Sequence, residues 1–301
     1  MLTFLTQPLL NALKNVNLNR VYELRLRAGR PVIMNYGGTY CYLGRLGIVA
    51  GAEVALTISY AEIEEIIAKA SEYSVYSVTD QPRRGFVTGS SGERIGLAGV
   101  FVYEDEKSLS VKDVTSINIR VPHEVIGCGE KVYKFCLADR LRSVLILSPP
   151  GRGKTTILRD LARLLGSGEF INVLIHDERN EISAAEGDFS LDVGPFCDII
   201  RYSRKGDAFT AAVRALRPDV LITDELVSRE EMEAVSACVR GGVEVIATVH
   251  CRNVDSLCAS PIFSVAVHEH IFERYVVLAA DKIGQVSGIY DRDLRPIVAT
   301  C

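Results

Sequence analysis

A glycine-rich stretch from Leu145 to Thr156, LILSPPGRGKTT, carries the strongest chemical signal in the chain. It nearly matches the phosphate-binding pattern G-x-x-x-x-G-K-[ST], in which backbone N–H groups surround the phosphates and the lysine reaches the β- and γ-phosphates. Gly153, Lys154 and Thr155 fit the pattern, and the Thr155 hydroxyl is the expected ligand to Mg²⁺. The expected nucleotide-binding residues are Ser148, Pro149, Pro150, Gly151, Arg152, Gly153, Lys154, Thr155 and Thr156.

Ser148 stands where the first glycine of this pattern belongs. The first glycine eases the bend into the loop, whereas the chain approaches the phosphates most closely between Gly151 and Thr155. A serine at the bend needs only an allowed backbone angle, and Pro149 and Pro150 already restrict that corner. We therefore expect a less stringent loop that still binds phosphate.

The segments on either side of the loop have the character that this chemistry requires. The apolar run from Ser143 to Leu147 predicts a buried strand. From Thr155 to Leu165 the apolar residues recur at helical spacing, and Gly166 then predicts the end of a helix. A strand, a tight turn and a helix place the N-terminus of the helix, with its positive dipole, at the phosphates.

Two further apolar runs end in acidic residues. The stretch DVLITDEL ends in Asp224 and Glu225, and INVLIHDE ends in Asp177 and Glu178. Behind a phosphate loop, a carboxylate at a strand end can hold Mg²⁺, which we expect of Asp224. A second carboxylate can orient or deprotonate the attacking water. Both Glu178 and Glu225 are candidates for this role, and the sequence does not choose between them.

A histidine and several arginines complete the candidate site. His250 ends the run IATVH, which predicts a strand that places the imidazole near the γ-phosphate. Arg217 lies just before the strand that carries Asp224, and it is the predicted source of positive charge during phosphoryl transfer. Arg179, Arg201, Arg204 and Arg214 are alternatives. The arginine can also come from a neighbouring subunit.

Composition narrows the class of protein. The 301 residues suffice for two domains, 48% are hydrophobic and the net charge is −4, which does not favour a nucleic-acid partner. No apolar run reaches the roughly 18 residues that span a bilayer, and the N-terminus does not have the pattern of a signal peptide. The eight cysteines form no C-x-x-C pair, which favours free thiols in a reducing cytoplasm.

Patterning divides the chain into two parts. In the first, VYELRLR predicts a half-buried strand with Tyr22, Leu24 and Leu26 on one face, and Ser59 and Glu62 have the spacing of a helix capping box. The charged stretch that begins at Glu104 suggests the boundary: an α+β domain over residues 1–104 and a nucleotide-binding domain over residues 105–301.

The second part alternates short apolar runs with helical segments. Continuous apolar strands of this kind are buried on both faces by helices, so the sequence predicts an α/β domain with a mostly parallel central sheet. In such a sheet the carboxyl ends of the strands lie along one edge, where ligands bind. The loop and the acidic strand ends should therefore converge.

The order of these motifs resembles the secretion ATPase superfamily, and most closely its stage III sporulation protein AA family. The resemblance rests on SPPGRGKTTILRDLAR, HDERNEI, ALRPDVLITDE and GGVEVIATVH, and on the N-terminal segments YELRLRAGRPV, RRGFVTGSSGERIGLAG and SINIRVP. It runs from about Val21 to about Arg252.

The resemblance implies a P-loop ATPase with a RecA-like motor domain that binds ATP and Mg²⁺. Members of the superfamily form rings, usually hexamers, at the cytoplasmic side of a membrane complex. The sporulation family powers or assembles a channel between mother cell and forespore, with channel membrane proteins as partners. By motif, Lys154 and Thr155 are the phosphate-loop residues, Asp224 and Glu225 the acidic strand end, Asp177 and Glu178 an acidic box that can supply the catalytic carboxylate, and His250 a histidine box.

Two other functions compete with an ATP-hydrolysing motor. A nucleic-acid-associated RecA-like ATPase is disfavoured because the net charge is negative and no stretch interleaves aromatic with basic residues. A nucleotide-gated scaffold that scarcely hydrolyses ATP is disfavoured by the two acidic pairs, because a pure binder needs fewer carboxylates beside phosphate.

Overall fold

The computed structural model describes residues 2–72, 85–105, 108–168, 170–185, 189–201 and 203–299. The chain forms two compact units. The first comprises Met1–His123 and Ala184–Ser190, and the second comprises Glu124–Ser183 and Leu191–Cys301. Within the described ranges, none of the helices combines the length and the apolar character that a membrane crossing requires.

The first unit is built on a seven-stranded sheet with strand order β5-β4-β3-β1-β9-β8-β7. Its elements are α1 (Gln7–Leu13), β1 (Val21–Arg27), β2 (Arg30–Pro31), β3 (Ile33–Tyr36), β4 (Thr39–Gly44), β5 (Gly47–Val49), β6 (Thr57–Ile58), α2 (Tyr60–Glu72), β7 (Phe86–Thr88), β8 (Arg94–Asp105) and β9 (Ser108–Arg120). Strands β2 and β6 form a separate antiparallel pair. The two helices contribute Leu9, Ile63 and Ile66 to a core shared with Leu24 and Leu26 of β1.

The predicted capping box at the start of α2 is confirmed. The Glu62 N–H donates to Ser59 Oγ at 3.2 Å, and the Ser59 N–H donates to Glu62 Oε2 at 2.8 Å. In β1, Leu24 and Leu26 are buried as predicted, but Tyr22 is 43% exposed and Val21 is buried instead. A register shift between Val21 and Glu23 in the pairing with β3 changes the face on which the first residues of the strand lie.

The unit boundary differs from the prediction. Strand β9 pairs with β8 and with β1, so the sheet of the first unit continues to Arg120, and the boundary lies between His123 and Glu124. The charged stretch after Glu104 connects β8 to β9 within this unit, and its residues 106 and 107 lie outside the described ranges. A polar connection within a hairpin has the composition of a linker, which is why residue 104 was a misleading boundary.

The second unit is built on an eight-stranded sheet with strand order β12-β11-β13-β14-β10-β15-β16-β17. Its elements are α3 (Glu130–Cys136), β10 (Val144–Leu147), α4 (Lys154–Gly166), β11 (Val173–Asp177), β12 (Cys197–Arg201), α5 (Lys205–Leu216), β13 (Val220–Glu225), α6 (Arg229–Arg240), β14 (Glu244–Val249), α7 (Val254–Cys258), α8 (Ser264–His268), β15 (Arg274–Leu278), β16 (Val286–Asp291) and β17 (Pro296–Ala299). The first six strands in this order, from β12 at the edge to β15, are parallel, and β16 and β17 then extend the sheet in antiparallel fashion.

Both faces of this sheet are buried, as the apolar runs predicted. All four residues of β10 are fully buried. Leu145 and Leu147 belong to the core that includes Phe209 of α5, whereas Ile146 belongs to the core that includes Leu158 of α4. The sheet is therefore an α/β layer of the predicted kind, and the carboxyl ends of its parallel strands lie along one edge.

Candidate nucleotide site

The candidate residues occupy neighbouring positions along the carboxyl edge of the second sheet. The phosphate loop follows β10, His250 follows the adjacent strand β14, and Glu225 ends the next strand, β13. Glu178 follows β11, three strands from β10, which places the two strand axes about 14 Å apart at the usual strand spacing. Glu225 is thus closer to the phosphate loop than Glu178 along the sheet.

The loop enters α4 through two glycines with left-handed backbone. Gly151 has φ +70° and Gly153 has φ +87°, and Gly153 immediately precedes the first residue of α4. An added Cβ on Gly153 would lie 3.3 Å from the backbone nitrogen of Gly284, whose N–H donates to the Arg152 carbonyl at 3.0 Å. The turn between β15 and β16 therefore braces the phosphate loop from outside.

Ser148 is accommodated at the bend without strain. It is not among the residues with positive φ, and its buried N–H donates to the Val249 carbonyl at 3.3 Å. Its hydroxyl donates to the Pro149 carbonyl at 2.9 Å. The backbone angle here is open to any residue, so the bend itself does not require a glycine.

A chain of polar contacts joins the loop lysine to an acidic strand end. Lys154 Nζ lies 2.7 Å from His250 Nδ1, and His250 Nε2 lies 2.9 Å from Glu225 Oε2. A neutral imidazole that accepts at Nδ1 and donates from Nε2 satisfies both contacts. Lys154 Nζ also donates to the carbonyls of Ser148 at 3.1 Å and Pro149 at 3.2 Å. Burial lowers the pKa of Lys154 to about 8.

A second group of side chains surrounds a buried lysine at the start of α5. Lys205 Nζ lies 2.8 Å from Glu178 Oε2, 3.2 Å from Asp224 Oδ1 and 3.4 Å from Glu231 Oε1. Burial raises the pKa of Asp224 to about 6 despite this lysine. Burial is also the largest influence on Glu178 and acts upward, but the hydrogen bond and charge of Lys205, with the nearby charges of His176 and Arg179, together outweigh it and leave the pKa of Glu178 lowered. We call Lys205, Glu178, Asp224 and Glu231 the lysine cluster.

Asp177, the last residue of β11, is bound by the chain that follows this strand. Its fully buried carboxylate accepts hydrogen bonds from the backbone N–H groups of Glu181, Ile182 and Ser183, and from the Ser183 hydroxyl at 2.8 Å. Arg159 of α4 donates to the carbonyls of Glu181 and Ile182 in the same segment. The carboxylate of Asp177 thus organises the turn beside Glu178, and it is directed at backbone rather than at the phosphate loop.

Arg217 is the one predicted site residue that the structure places away from the others. It is exposed and follows the last residue of α5, three positions before β13 begins. This is the amino edge of the sheet, opposite the phosphate loop. Arg179 and Arg201, by contrast, lie at the carboxyl ends of β11 and β12. Lys205 was visible in the sequence as a basic residue, but the strand ahead of it, CDIIR, alternates too weakly to predict its place at this edge.

Comparison with known proteins identifies the family. Residues 2–296 match the family model described as sporulation stage III, protein AA. The chain belongs to the sporulation stage III protein AA family. It is 31% identical to the stage III sporulation protein AA of Bacillus subtilis (strain 168) over 279 residues, which cover 91% of this chain and 87% of the relative. It is also 30% identical over 162 residues to SEEDLING PLASTID DEVELOPMENT 1 of Arabidopsis thaliana, covering 51% of this chain and 22% of that protein.

Solved structures place this family member among secretion ATPase folds. The Legionella pneumophila ATPase DotB superposes with a TM-score of 0.61 at 14% identity, covering 96% of this chain and 82% of that one. The pilus retraction motor PilT, solved with bound ADP, superposes with a TM-score of 0.58 at 15% identity, covering 91% and 78%. At these identities the likeness concerns the fold, which agrees with the architecture predicted from the sequence.

Proposed function

We propose that this protein binds and hydrolyses ATP as the motor subunit of a sporulation-specific channel. The observation that carries the proposal is the continuous contact from Lys154 through His250 to Glu225, which joins the phosphate loop to a carboxylate two strands away. A pure binding site has no need for such a link. The family membership and the secretion ATPase fold support the same reaction.

The phosphate loop supplies the binding energy. Backbone N–H groups between Gly151 and Thr155 and the N-terminus of α4 would surround the phosphates, as in other loops of this pattern. Lys154 would leave its carbonyl partners and reach the β- and γ-phosphates. Its contact with His250 would then be replaced by one with phosphate. Binding of the γ-phosphate would therefore change the hydrogen bonding of His250, and through it the contact with Glu225.

Thr155 and Asp224 would hold Mg²⁺. Both offer hard oxygen donors, and Mg²⁺ at ATP sites is bound by one or two protein groups together with phosphate oxygens. Among the described residues, no cluster of three or more His, Cys, Asp or Glu side chains forms a metal site, so the proposed ion depends on the nucleotide for further ligands. Bound there, Mg²⁺ would neutralise charge on the phosphates.

Glu225 is our choice for the residue that activates water. It lies one strand closer to the loop than Glu178, and His250 connects it to Lys154. Glu178 is held by Lys205 at 2.8 Å, which suits a supporting role in arranging the carboxyl edge. Asp177, whose carboxylate holds backbone, would position the turn that bears Glu178 rather than take part in proton transfer.

A positively charged group from a neighbouring subunit would complete the site. Arg217 lies at the opposite edge of its own sheet, so its proposed role requires a second copy of the chain. We therefore propose a homo-oligomeric ring, with a hexamer as the expected size. The ring would act in the cytoplasm, on the mother-cell side, against membrane proteins of the channel, and nucleic acid is not an expected partner.

Glutamine substitutions test which carboxylate is catalytic. We expect Glu225→Gln to lower kcat for ATP hydrolysis at least 100-fold while the affinity for ATP changes less than threefold, because glutamine cannot accept the proton of water. Glu178→Gln should lower kcat by only about tenfold, less than the loss expected of a general base, because we assign Glu178 a supporting role. The matched control is Glu233→Gln on the exposed face of α6, which should behave as wild type.

Phosphate release and ATP binding are measured together on each variant. Equal losses in Glu178→Gln and Glu225→Gln, or a larger loss in Glu178→Gln, would contradict the assignment of Glu225. ATP binding without phosphate release in the wild-type protein would instead indicate a nucleotide-gated scaffold. Stimulation by single-stranded DNA with a steep salt dependence would indicate a nucleic-acid-associated ATPase.

A further inference from the structure

Lys205 is buried in a position that packing alone does not favour. It is the first residue of α5, and its side chain is 3% exposed. The N-terminus of a helix repels a cation, and burial of an ammonium group costs free energy unless close partners compensate. The compensation comes from three other elements: Glu178 after β11, Asp224 in β13 and Glu231 in α6.

The lysine cluster has more negative than positive charge. One ammonium group faces three carboxylates, which leaves an excess of two negative charges when all are ionised. Glu231 is also occupied as a helix cap, because it accepts the N–H groups of Val227 and Ser228 through Oε2 and uses Oε1 toward Lys205. Lys205 therefore shares its charge mainly between Glu178 and Asp224, the two members at the carboxyl edge.

We propose that Lys205 is a positioning residue of the ATPase site that fixes Glu178 and limits the affinity of Asp224 for the divalent metal. The inference rests on the proposed function, because it concerns the same metal and the same carboxylates. Its physical basis is competition: Lys205 Nζ lies 3.2 Å from Asp224 Oδ1, so a metal ion bound by Asp224 and the ammonium group would compete for one carboxylate.

The two effects of removing Lys205 have opposite signs. Lys205→Met takes away a cation beside Asp224, so the cluster becomes more negative and should bind a divalent ion more tightly. The same substitution releases Glu178, which should lower kcat. If Lys205 had a merely structural role, the Lys205→Met protein would be less stable and would bind the metal more weakly, because the site around Asp224 would become disordered.

The test measures Mn²⁺ binding by electron paramagnetic resonance in the presence of a non-hydrolysable ATP analogue. We expect the Kd for Mn²⁺ to fall at least threefold in Lys205→Met and to stay within twofold of wild type in Lys205→Arg, which keeps the charge. The control is Lys69→Met, which breaks an exposed ion pair with Glu65 in the first unit and should leave Mn²⁺ binding unchanged. An unchanged or weaker Kd in Lys205→Met overturns the proposal.

Steady-state hydrolysis gives the second readout. Lys205→Met should lower kcat at least tenfold with less than a threefold change in the KM for ATP. Because Lys205 acts through Glu178, the double variant Lys205→Met with Glu178→Gln should have a kcat no lower than that of the less active of the two single variants. Additive losses would contradict this coupling and leave Lys205 without a positioning role.

A further variant protects the test against misfolding. If Lys205→Met does not fold, Glu231→Gln is used, which removes one negative charge and keeps an oxygen for the helix cap. The affinity of this variant for Mn²⁺ should fall, because the cluster is less negative and more of the Lys205 charge interacts with Asp224. A lower Kd for Mn²⁺ would overturn the proposal. Wild-type protein that binds Mn²⁺ with the analogue but releases no phosphate contradicts only the proposed function. Wild-type protein that binds neither Mn²⁺ nor the ATP analogue contradicts both the proposed function and this inference.

Discussion

At the scale of single residues, Lys154 shows how burial prepares a side chain for a ligand. Its ammonium group donates to two loop carbonyls and contacts His250, none of which carries a negative charge that would offset the burial of a cation. This is why the pKa of Lys154 is lowered to about 8. A phosphate beside the same nitrogen would favour the ammonium form and raise the pKa again.

The pH dependence of ATP binding follows from this change in pKa. Below about pH 8 the free protein already carries the ammonium group, so binding takes up no proton at Lys154. As the pH rises through about 8, the free lysine loses its proton and binding must restore it, so the affinity for ATP should fall. Calorimetry at pH 9 in buffers of different ionisation enthalpy should show proton uptake on binding. Proton release, or no proton exchange at all, would contradict the assigned contact.

At the scale of elements, the segment after β11 depends on one carboxylate. Asp177 satisfies three backbone N–H groups and a hydroxyl in the turn that leads from Glu178 to Ser183. Arg159 ties this turn to α4, the helix that begins at the phosphate loop. The turn thus links the acidic strand end to the helix that follows the candidate phosphate loop, and a defect in the turn should lower the stability of the protein.

Asp177→Asn should lower the free energy of unfolding by about 2–4 kcal/mol, since an amide retains one acceptor oxygen and points its NH₂ group at backbone donors that become unsatisfied. The measurement is chemical denaturation of the variant beside wild type. Asp281→Asn, on an exposed turn, is the matched control and should change stability by less than about 0.5 kcal/mol. A stable Asp177→Asn protein that has lost only its hydrolytic activity would show that the carboxylate is catalytic instead.

The elements that the sequence predicted best are those whose pattern is strong and local. β10 and α4 begin and end within one residue of the predicted bounds, because a short continuous apolar run and an amphipathic helical period are both strong local patterns. β12 was not predicted, since it is an edge strand whose residues are mostly half-buried. The antiparallel strands β16 and β17 depend on the pairing of β16 with β15 and of β17 with β16, which no local pattern encodes.

The candidate site was predictable in its members but less so in their contacts. The strand ends that carry Asp224, Glu225 and His250 follow from apolar runs in a parallel sheet. The pairing of Glu178 with Lys205, and of Glu225 with His250, depends on strand order, because only the order β11-β13-β14-β10 decides which neighbours meet. Arg217 was predicted from its closeness to β13 in sequence, but it precedes the strand and so lies at the opposite edge.

At the scale of the whole molecule, one copy of the chain holds most of the proposed hydrolytic site. The phosphate loop, His250, Glu225 and the lysine cluster all lie on the carboxyl edge of one sheet. Arg217, the predicted source of transition-state charge, lies at the other edge of that sheet, where a second subunit can use it. Activity should therefore depend on assembly.

The most direct test of this account is phosphate release from ATP, measured as a function of protein concentration with the oligomeric state recorded in the same samples. We expect turnover per subunit to rise as the protein assembles and to be lost in Lys154→Ala at every concentration. Assembled wild-type protein that binds ATP yet releases no phosphate would contradict the proposal that this site hydrolyses ATP.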